Sequence, residues 1–310
     1  MTKHISVLLN EALELLDVKE GGTYIDGTLG RGGHSKKILE KLGNGKLYCF
    51  DLDNQAIEES KEVLKDYKNV IYIHDNYMNM NKYVDSVDGI LLDLGVSSPQ
   101  FDEASRGFSY RYDGPLDMRM NSDNDLTAYT IINTYSQEEL IKIFYDYGEE
   151  KFARRIAEKI VEHRKTVPIE TTLQLVEVIK EALPSKILSQ KGHPAKQVFQ
   201  ALRIAVNHEL DSLSFFLDNF DQILKKDGKA VIISFHSLED RLIKRKFKQL
   251  SSVEDDKRIF KLPEEIEKAK FALINHKAIS PSEDEIKNNP RSKSAKLRGI
   301  VRLGDWYGKD

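Results

Sequence analysis

The chain has 310 residues, 40% of them hydrophobic and 31% charged, with a formal net charge of −3. That is enough apolar sequence for one large core or two smaller ones, and it excludes a global basic field, so any nucleic-acid site has to be a local patch. The single cysteine, Cys49, excludes an intramolecular disulfide, and the absence of a signal-peptide core or a membrane-length apolar run leads us to expect a soluble, cytoplasmic protein.

Val7 to Leu16 has the spacing of an amphipathic helix, with Leu8, Ala12, Leu15 and Leu16 on one face. The stretch Tyr24-Ile25-Asp26-Gly27-Thr28-Leu29-Gly30-Arg31-Gly32-Gly33-His34 follows. A short apolar run ends there in an acid and turns through closely spaced glycines into a helical pattern, Ser35 to Leu42. Strand, glycine turn and helix make a nucleotide-type cradle. The glycine order is not that of the dinucleotide fingerprint, and Asp26 would repel a pyrophosphate. An acid suits a ligand with positive charge and hydroxyls, and S-adenosylmethionine (SAM) has both. Leu47–Phe50 reads as the second strand and closes on Asp51 and Asp53. Asp51 lies roughly 20 residues beyond the glycines, the spacing of a ribose-binding acid.

Ala56 to Leu64 reads as a crossover helix, Val70–Ile73 as the third strand and Val87 to Asp93 as the fourth. Nearly continuous apolar strands separated by helices predict a parallel sheet covered on both faces. Ligands of such sheets bind at the carboxyl ends of the strands, and Asp26, Asp51, Asp75 and Asp93 all stand at such ends.

Beyond Asp93 the alternation stops. Leu94 to Asn124 is a long polar loop whose aromatics, Phe101, Phe108, Tyr110 and Tyr112, argue against disorder. Helices are predicted at Gln137–Tyr145, at Glu149–Arg164 and from a Thr171 or Thr172 cap to about Ala182. A long fourth helix is predicted from Pro194 to Leu224, with Gly228 beyond its end. This block is read as an inserted all-helical domain, 100–207, recognising substrate, within a sheet domain made of 1–99 and 208–310. Lys229 to Phe235 reads as the fifth strand, Arg241 to Lys248 as a basic helix, and Phe271–Ile274 and Leu297–Leu303 as a closing pair of strands.

Taken in order, Asp26–His34, Asp93–Gln100, Arg106–Ser109, Asp113–Met120, Phe199–Ile204, Ser234–Arg241 and Asn289–Ser292 resemble the bacterial MraW/RsmH enzymes over essentially the whole chain. The resemblance implies a class I SAM-dependent methyltransferase, an α/β protein with a Rossmann-like doubly wound sheet and a helical insertion. It implies methylation of the exocyclic N4 of one cytidine in the decoding region of 16S ribosomal RNA, within the small ribosomal subunit. The family's cofactor residues carry over onto Gly32, Gly33, His34, Asp51, Tyr77, Asp93 and Gln100. Backbone carbonyls of Leu94 to Ser98, or Asp93 itself, are open as acceptors for the amine hydrogens, and no catalytic base is named. The histidines show no metal-ligand spacing, so no metal is expected. Arg203 and His236 are candidate RNA contacts, and so are Arg291, Lys293 and Lys296 in an acid-free basic tail. The oligomeric state is left open, a homodimer being one option. A nicotinamide oxidoreductase fits the fold but not the glycine order; a DNA amino-methyltransferase would share the chemistry; a non-enzymatic assembly factor would not need the acids.

Overall fold

The computed structural model describes residues 6–96, 98–252 and 269–304. It divides into two compact units, Met1–Gly95 together with Leu210–Asp310, and Val96–Glu209.

The first unit begins with α1 (Leu9–Leu16), β1 (Thr23–Asp26), α2 (Gly33–Leu42), β2 (Lys46–Asp51), α3 (Asn54–Val63), β3 (Val70–His74) and β4 (Val87–Asp93). The chain then builds the second unit from α4 (Ser98–Asp102), α5 (Ala128–Thr134), α6 (Gln137–Asp146), α7 (Ala153–Arg164), α8 (Thr172–Ala182), α9 (Ser185–Leu188) and α10 (Lys196–Asn207). It returns through α11 (Glu209–Asn219), β5 (Leu224–Ser234), α12 (Ser237–Ser251), β6 (Phe271–Leu273), α13 (Glu283–Asn288) and β7 (Lys296–Arg302).

The seven strands order as β3-β2-β1-β4-β5-β7-β6. β1 to β5 are parallel to one another, and β7 runs antiparallel to both β5 and β6. Both faces of the central strands are covered, which is why their sequences are apolar runs without alternation. Ile25, Phe50, Ile90, Leu92 and Ile232 pack on one side with Phe216, Phe220 and Phe247 of the later helices. Tyr24, Leu47, Cys49, Leu91, Val231 and Ile233 pack on the other with Leu13, Leu16, Ile38 and Leu39 of α1 and α2. Sequence order reverses between β1 and β4, so the crevice where such sheets bind ligands opens beside the carboxyl ends of those two strands.

The predicted long fourth helix is corrected. His208 takes a left-handed conformation, φ 50°, and ends α10, and the segment from Leu224 is strand, paired with β4 from Val87 onward. Gly228 therefore lies inside β5 and is not a helix stop. The apolar stripe misled because it continues across the break: a left-handed residue re-aims the axis without changing which residues are oily. The helix expected from Glu149 starts later, at Ala153, because Glu149 has φ 51°. The charged stretch expected from Ser251 to Lys270 lies mostly outside the described residues.

The second unit has its own core, in which Ile131, Leu140, Phe144, Ile156, Ile160, Leu175, Ile179, Val198 and Leu202 are fully or nearly fully buried. Ser136 with Glu139 and Thr171 with Gln174 form capping boxes at α6 and α8, each contributing about 1 kcal/mol. The long loop before α5 is ordered by its own arginines. Arg119 binds the Asp117 carboxylate and donates to the carbonyls of Ser122 and Asn124, while Arg106 donates to those of Arg119 and Met120.

Asn207, buried at the end of α10, locks the same loop. Its Oδ1 accepts from the Met120 N–H at 2.7 Å, and its Nδ2 donates to the carbonyls of Met118 at 2.8 Å and Arg203 at 2.9 Å. Asn207→Ala leaves buried backbone groups unsatisfied and should cost about 2–4 kcal/mol, read as a lower urea midpoint. Unchanged stability would show that the loop is held by its arginines alone.

Candidate functional site

Three carboxyl groups gather at the carboxyl edge of the sheet's first half. Asp26 closes β1 and is 1% exposed. Its oxygens are occupied: Ser35 Oγ donates at 2.6 Å and the Thr28 N–H at 3.2 Å. Asp26 therefore shapes the glycine turn from inside. Burial pushes its pKa up to about 6 against these hydrogen bonds.

Asp51 closes β2. Its Oδ2 accepts from the Gly30 N–H at 2.8 Å and its Oδ1 from the Asp53 N–H at 2.8 Å. Each oxygen keeps a second lone pair. Burial again dominates, raising this pKa to about 6, with the charges of Asp53 and Asp26 adding to it. Gly30, with φ 49°, is the one position of the turn where an added Cβ would meet almost nothing, the nearest atom being Thr28 O at 3.9 Å. That open flank beside Asp51 is room for a ligand.

Gly32 has φ 74°, and a Cβ there would press on the Leu64 side chain at 3.3 Å. It sets the entry into α2. At Gly33 a Cβ would collide with Ser6 Oγ at 2.0 Å. Tyr77 follows β3, half-buried, with its ring edge-on to Phe216 at 5.8 Å between centroids.

Asp93 closes β4, next to β1 at the reversal of strand order. Burial raises its pKa well above the ordinary carboxylate range, and the charges of Asp26 and Glu239 push the same way. Its backbone N–H donates to Thr28 Oγ1 at 2.6 Å. His34 lies beside it, 5% exposed, with Nε2 donating to the Val7 carbonyl at 3.1 Å and Nδ1 3.7 Å from Asp93 Oδ2. The other carboxyl oxygen, Oδ1, is buried without a hydrogen-bond partner. Such an atom is costly in a folded protein and calls for a ligand group that donates to it or carries positive charge.

The sequence-predicted residues thus divide. Asp51, Asp93, His34, Tyr77, Gly32 and Gly33 stand together around the carboxyl edge of β1 to β4. Gln100 is carried on α4 of the second unit, where it is 7% exposed. Arg203, expected to contact RNA, is held by Glu209 through two bonds of 2.8 and 2.9 Å, both side chains well shielded. Lys296 is paired with Asp240 at 3.1 Å, and Arg298 shares the same carboxylate at 2.8 Å. Arg291 and Lys293 sit exposed on a short turn of 3-10 helix, Pro290–Ser294. The helix expected to be uniformly basic starts four residues earlier than expected, at Ser237, and brings Glu239 and Asp240 into its first turn. His236 precedes it, beside Glu239, a residue that sequence reasoning did not single out. The acid three places after a strand-end histidine, just ahead of the predicted helix, was the available signal. Among the described residues no helix is long and apolar enough to cross a membrane.

A doubly wound parallel sheet with an antiparallel closing strand, carrying buried acids at its switch point, defines a class I, Rossmann-like methyltransferase. The chain matches the MraW methylase family over residues 1–303 and belongs to it. It is 52% identical over 302 residues to a protein of Clostridium botulinum (strain Kyoto / Type A2) named ribosomal RNA small subunit methyltransferase H, covering 96% of this chain and 97% of that one. A protein of the same name from strain 657 / Type Ba4 is 53% identical with the same coverage. Among solved structures, Aeropyrum pernix fibrillarin with natively bound S-adenosyl-L-methionine aligns at 9% identity and a TM-score of 0.41, over 94% of this chain and 74% of that one.

The raised carboxyl groups set a pH dependence. A group whose pKa is about 6 in the folded protein and near 4 unfolded favours the folded state while protonated, and that advantage is lost as pH rises from about 4 through 6. Between pH 4 and 7 the ligand-free protein should lose on the order of 2 kcal/mol relative to Asp51→Asn, measured by urea unfolding at each pH. A gap between the two proteins that does not move with pH would mean that Asp51 is solvated.

Proposed function

We propose that this chain uses SAM to methylate the exocyclic N4 of a specific cytidine in the decoding region of 16S ribosomal RNA, within the small ribosomal subunit. The observation that carries the cofactor half of this reading is the buried, unpartnered Asp93 Oδ1 beside two further raised carboxyl groups. Crowded acids in a low-dielectric crevice favour a cationic, hydroxyl-bearing ligand, and they oppose the pyrophosphate of a nicotinamide dinucleotide. SAM supplies an electrophilic methyl group on a sulfonium.

The protein's own residues supply the rest. Asp51 accepts ribose hydroxyls with its spare lone pairs, fixed in direction by the Gly30 and Asp53 N–H groups. Asp93 and Asp26 hold a negative field over the crevice, and His34 braces Asp93. Gly32 and Gly33 give the turn its course, and Tyr77 offers an aromatic edge to the adenine. The family's pattern adds Gln100. The RNA half rests on the family and on its relatives' names. The second unit, with Lys186, Lys191 and Lys196 exposed in a stretch without acids from Pro184 to His208, is the substrate-recognition domain on this reading. The target cytosine has to leave its stack to be reached, at a cost of a few kcal/mol.

Incubation with SAM and small subunits that lack the modification, followed by mapping of methylated nucleosides, tests the reading. N4-methylcytidine at one position in the decoding region is expected; methyl groups on another base or on protein would overturn it. In the tail, Arg291 and Lys293 are exposed and are the phosphate contacts on this reading. Replacing both by alanine should make the plot of log affinity against log salt shallower by about 1.5 units, with SAM affinity unchanged. A slope equal to that of the unmodified protein would remove the tail from the interface.

A further inference from the structure

The carboxyl edge of the sheet continues past Asp93. β4 and β5 pair in parallel with Asp93 opposite Ile233, so the end of β5 brings His236 to the neighbouring strand end. The His236 side chain is 8% exposed and that of Glu239 3%. Glu239 is anchored by main chain: its Oε2 accepts from the Phe235 N–H at 2.8 Å and from the His236 N–H at 3.3 Å. Its Oε1 lies 3.0 Å from His236 Nε2. The approach is close but not aligned as a formed hydrogen bond, and Nδ1 is buried with no partner at all. Catalytic hydrogen bonds are often misaligned before substrate arrives and tighten in the complex.

Capping accounts for Glu239 Oε2 and turns the His236 side chain toward the main chain of Glu239, but it leaves both ring nitrogens without a formed hydrogen bond. A histidine kept only for packing has no use for two buried nitrogens, one facing a carboxylate and one bare. With the Glu239 carboxylate at Nε2, the neutral ring carries its proton on that nitrogen and presents the Nδ1 lone pair. A carboxylate that fixes the tautomer of a histidine base is a recurring arrangement in acid–base catalysis.

We propose that His236 is the proton acceptor of the methyl transfer, and that Glu239 is the positioning residue that fixes its tautomer. This rests on the reading that the chain methylates an exocyclic amine. The amine nitrogen forms its bond to the methyl carbon with its own lone pair, while the electron pair of the breaking carbon–sulfur bond stays on sulfur. The nitrogen becomes cationic and releases one proton to His236 Nδ1. The resulting imidazolium faces the Glu239 carboxylate, and the proton passes to solvent when product leaves. Asp93, on the adjoining strand, remains on the cofactor side with Asp26 and Asp51.

The experiment uses the full chain with SAM and unmethylated small subunits, in single-turnover format. His236→Asn, His236→Ala and Glu239→Gln should bind SAM within about threefold of the unmodified protein by calorimetry. Methyl transfer should slow by roughly 10²-fold to 10³-fold, and added imidazole should restore part of the His236→Ala rate. Independently of activity, nitrogen-15 NMR of the ligand-free protein should show His236 protonated on Nε2, and Glu239→Gln should abolish that preference. A His236→Asn rate near that of the unmodified protein would overturn the proposal. So would slow variants with intact SAM binding that imidazole does not rescue, variants that lose SAM binding, or a tautomer indifferent to Glu239. If the unmodified protein transfers no methyl group to RNA, the functional reading fails instead, and the tautomer measurement still decides the pairing.

Discussion

The site depends on electrostatic crowding. Asp26, Asp51 and Asp93 sit where parallel strands end, shielded from water and close enough for Asp26 to raise both of the others. Negative charge at that density is unfavourable unless protons, hydrogen-bond donors or a cation accompany it. The fold supplies donors for Asp26 and Asp51 from the glycine turn, and leaves Asp93 incompletely satisfied. Strand order explains the placement: it reverses between β1 and β4, at the strand ends that carry Asp26 and Asp93. The apolar core on both faces holds the strand ends in place against that repulsion, which a loop-built site could not do.

Much of this arrangement was legible in the sequence because it is local. An apolar run ending in an acid announces a strand end, and four such runs announced the edge at which Asp26, Asp51 and Asp93 meet. The glycine turn was legible for the same reason. The closing strands were legible from their β-branched and apolar runs, with bounds shifted by a residue.

What stayed hidden was set by partners distant in sequence or by single backbone angles. The break at His208 hid behind an unbroken apolar stripe, and the first residues of β5 were absorbed into that helix. The charges of Arg203 and Lys296 looked available in the sequence because their partners cannot be located from it. Glu209 lies six residues from Arg203 across the break, and Asp240 meets Lys296 and Arg298 only through the pairing of β5 with β7. His236 was visible as a strand-end histidine, but its value as a base depends on Glu239, whose second role is concealed by its ordinary one as a helix-capping acid.

The central claim is that the buried carboxyl groups form a site for a cation and give up protons to accept it. Calorimetric titration of the protein with SAM near pH 6, in buffers of different ionisation enthalpy, measures that exchange directly. The account predicts net release of protons to buffer on binding, diminished in Asp93→Asn. Binding of SAM with no proton exchange, in the unmodified protein and the variant alike, would contradict it.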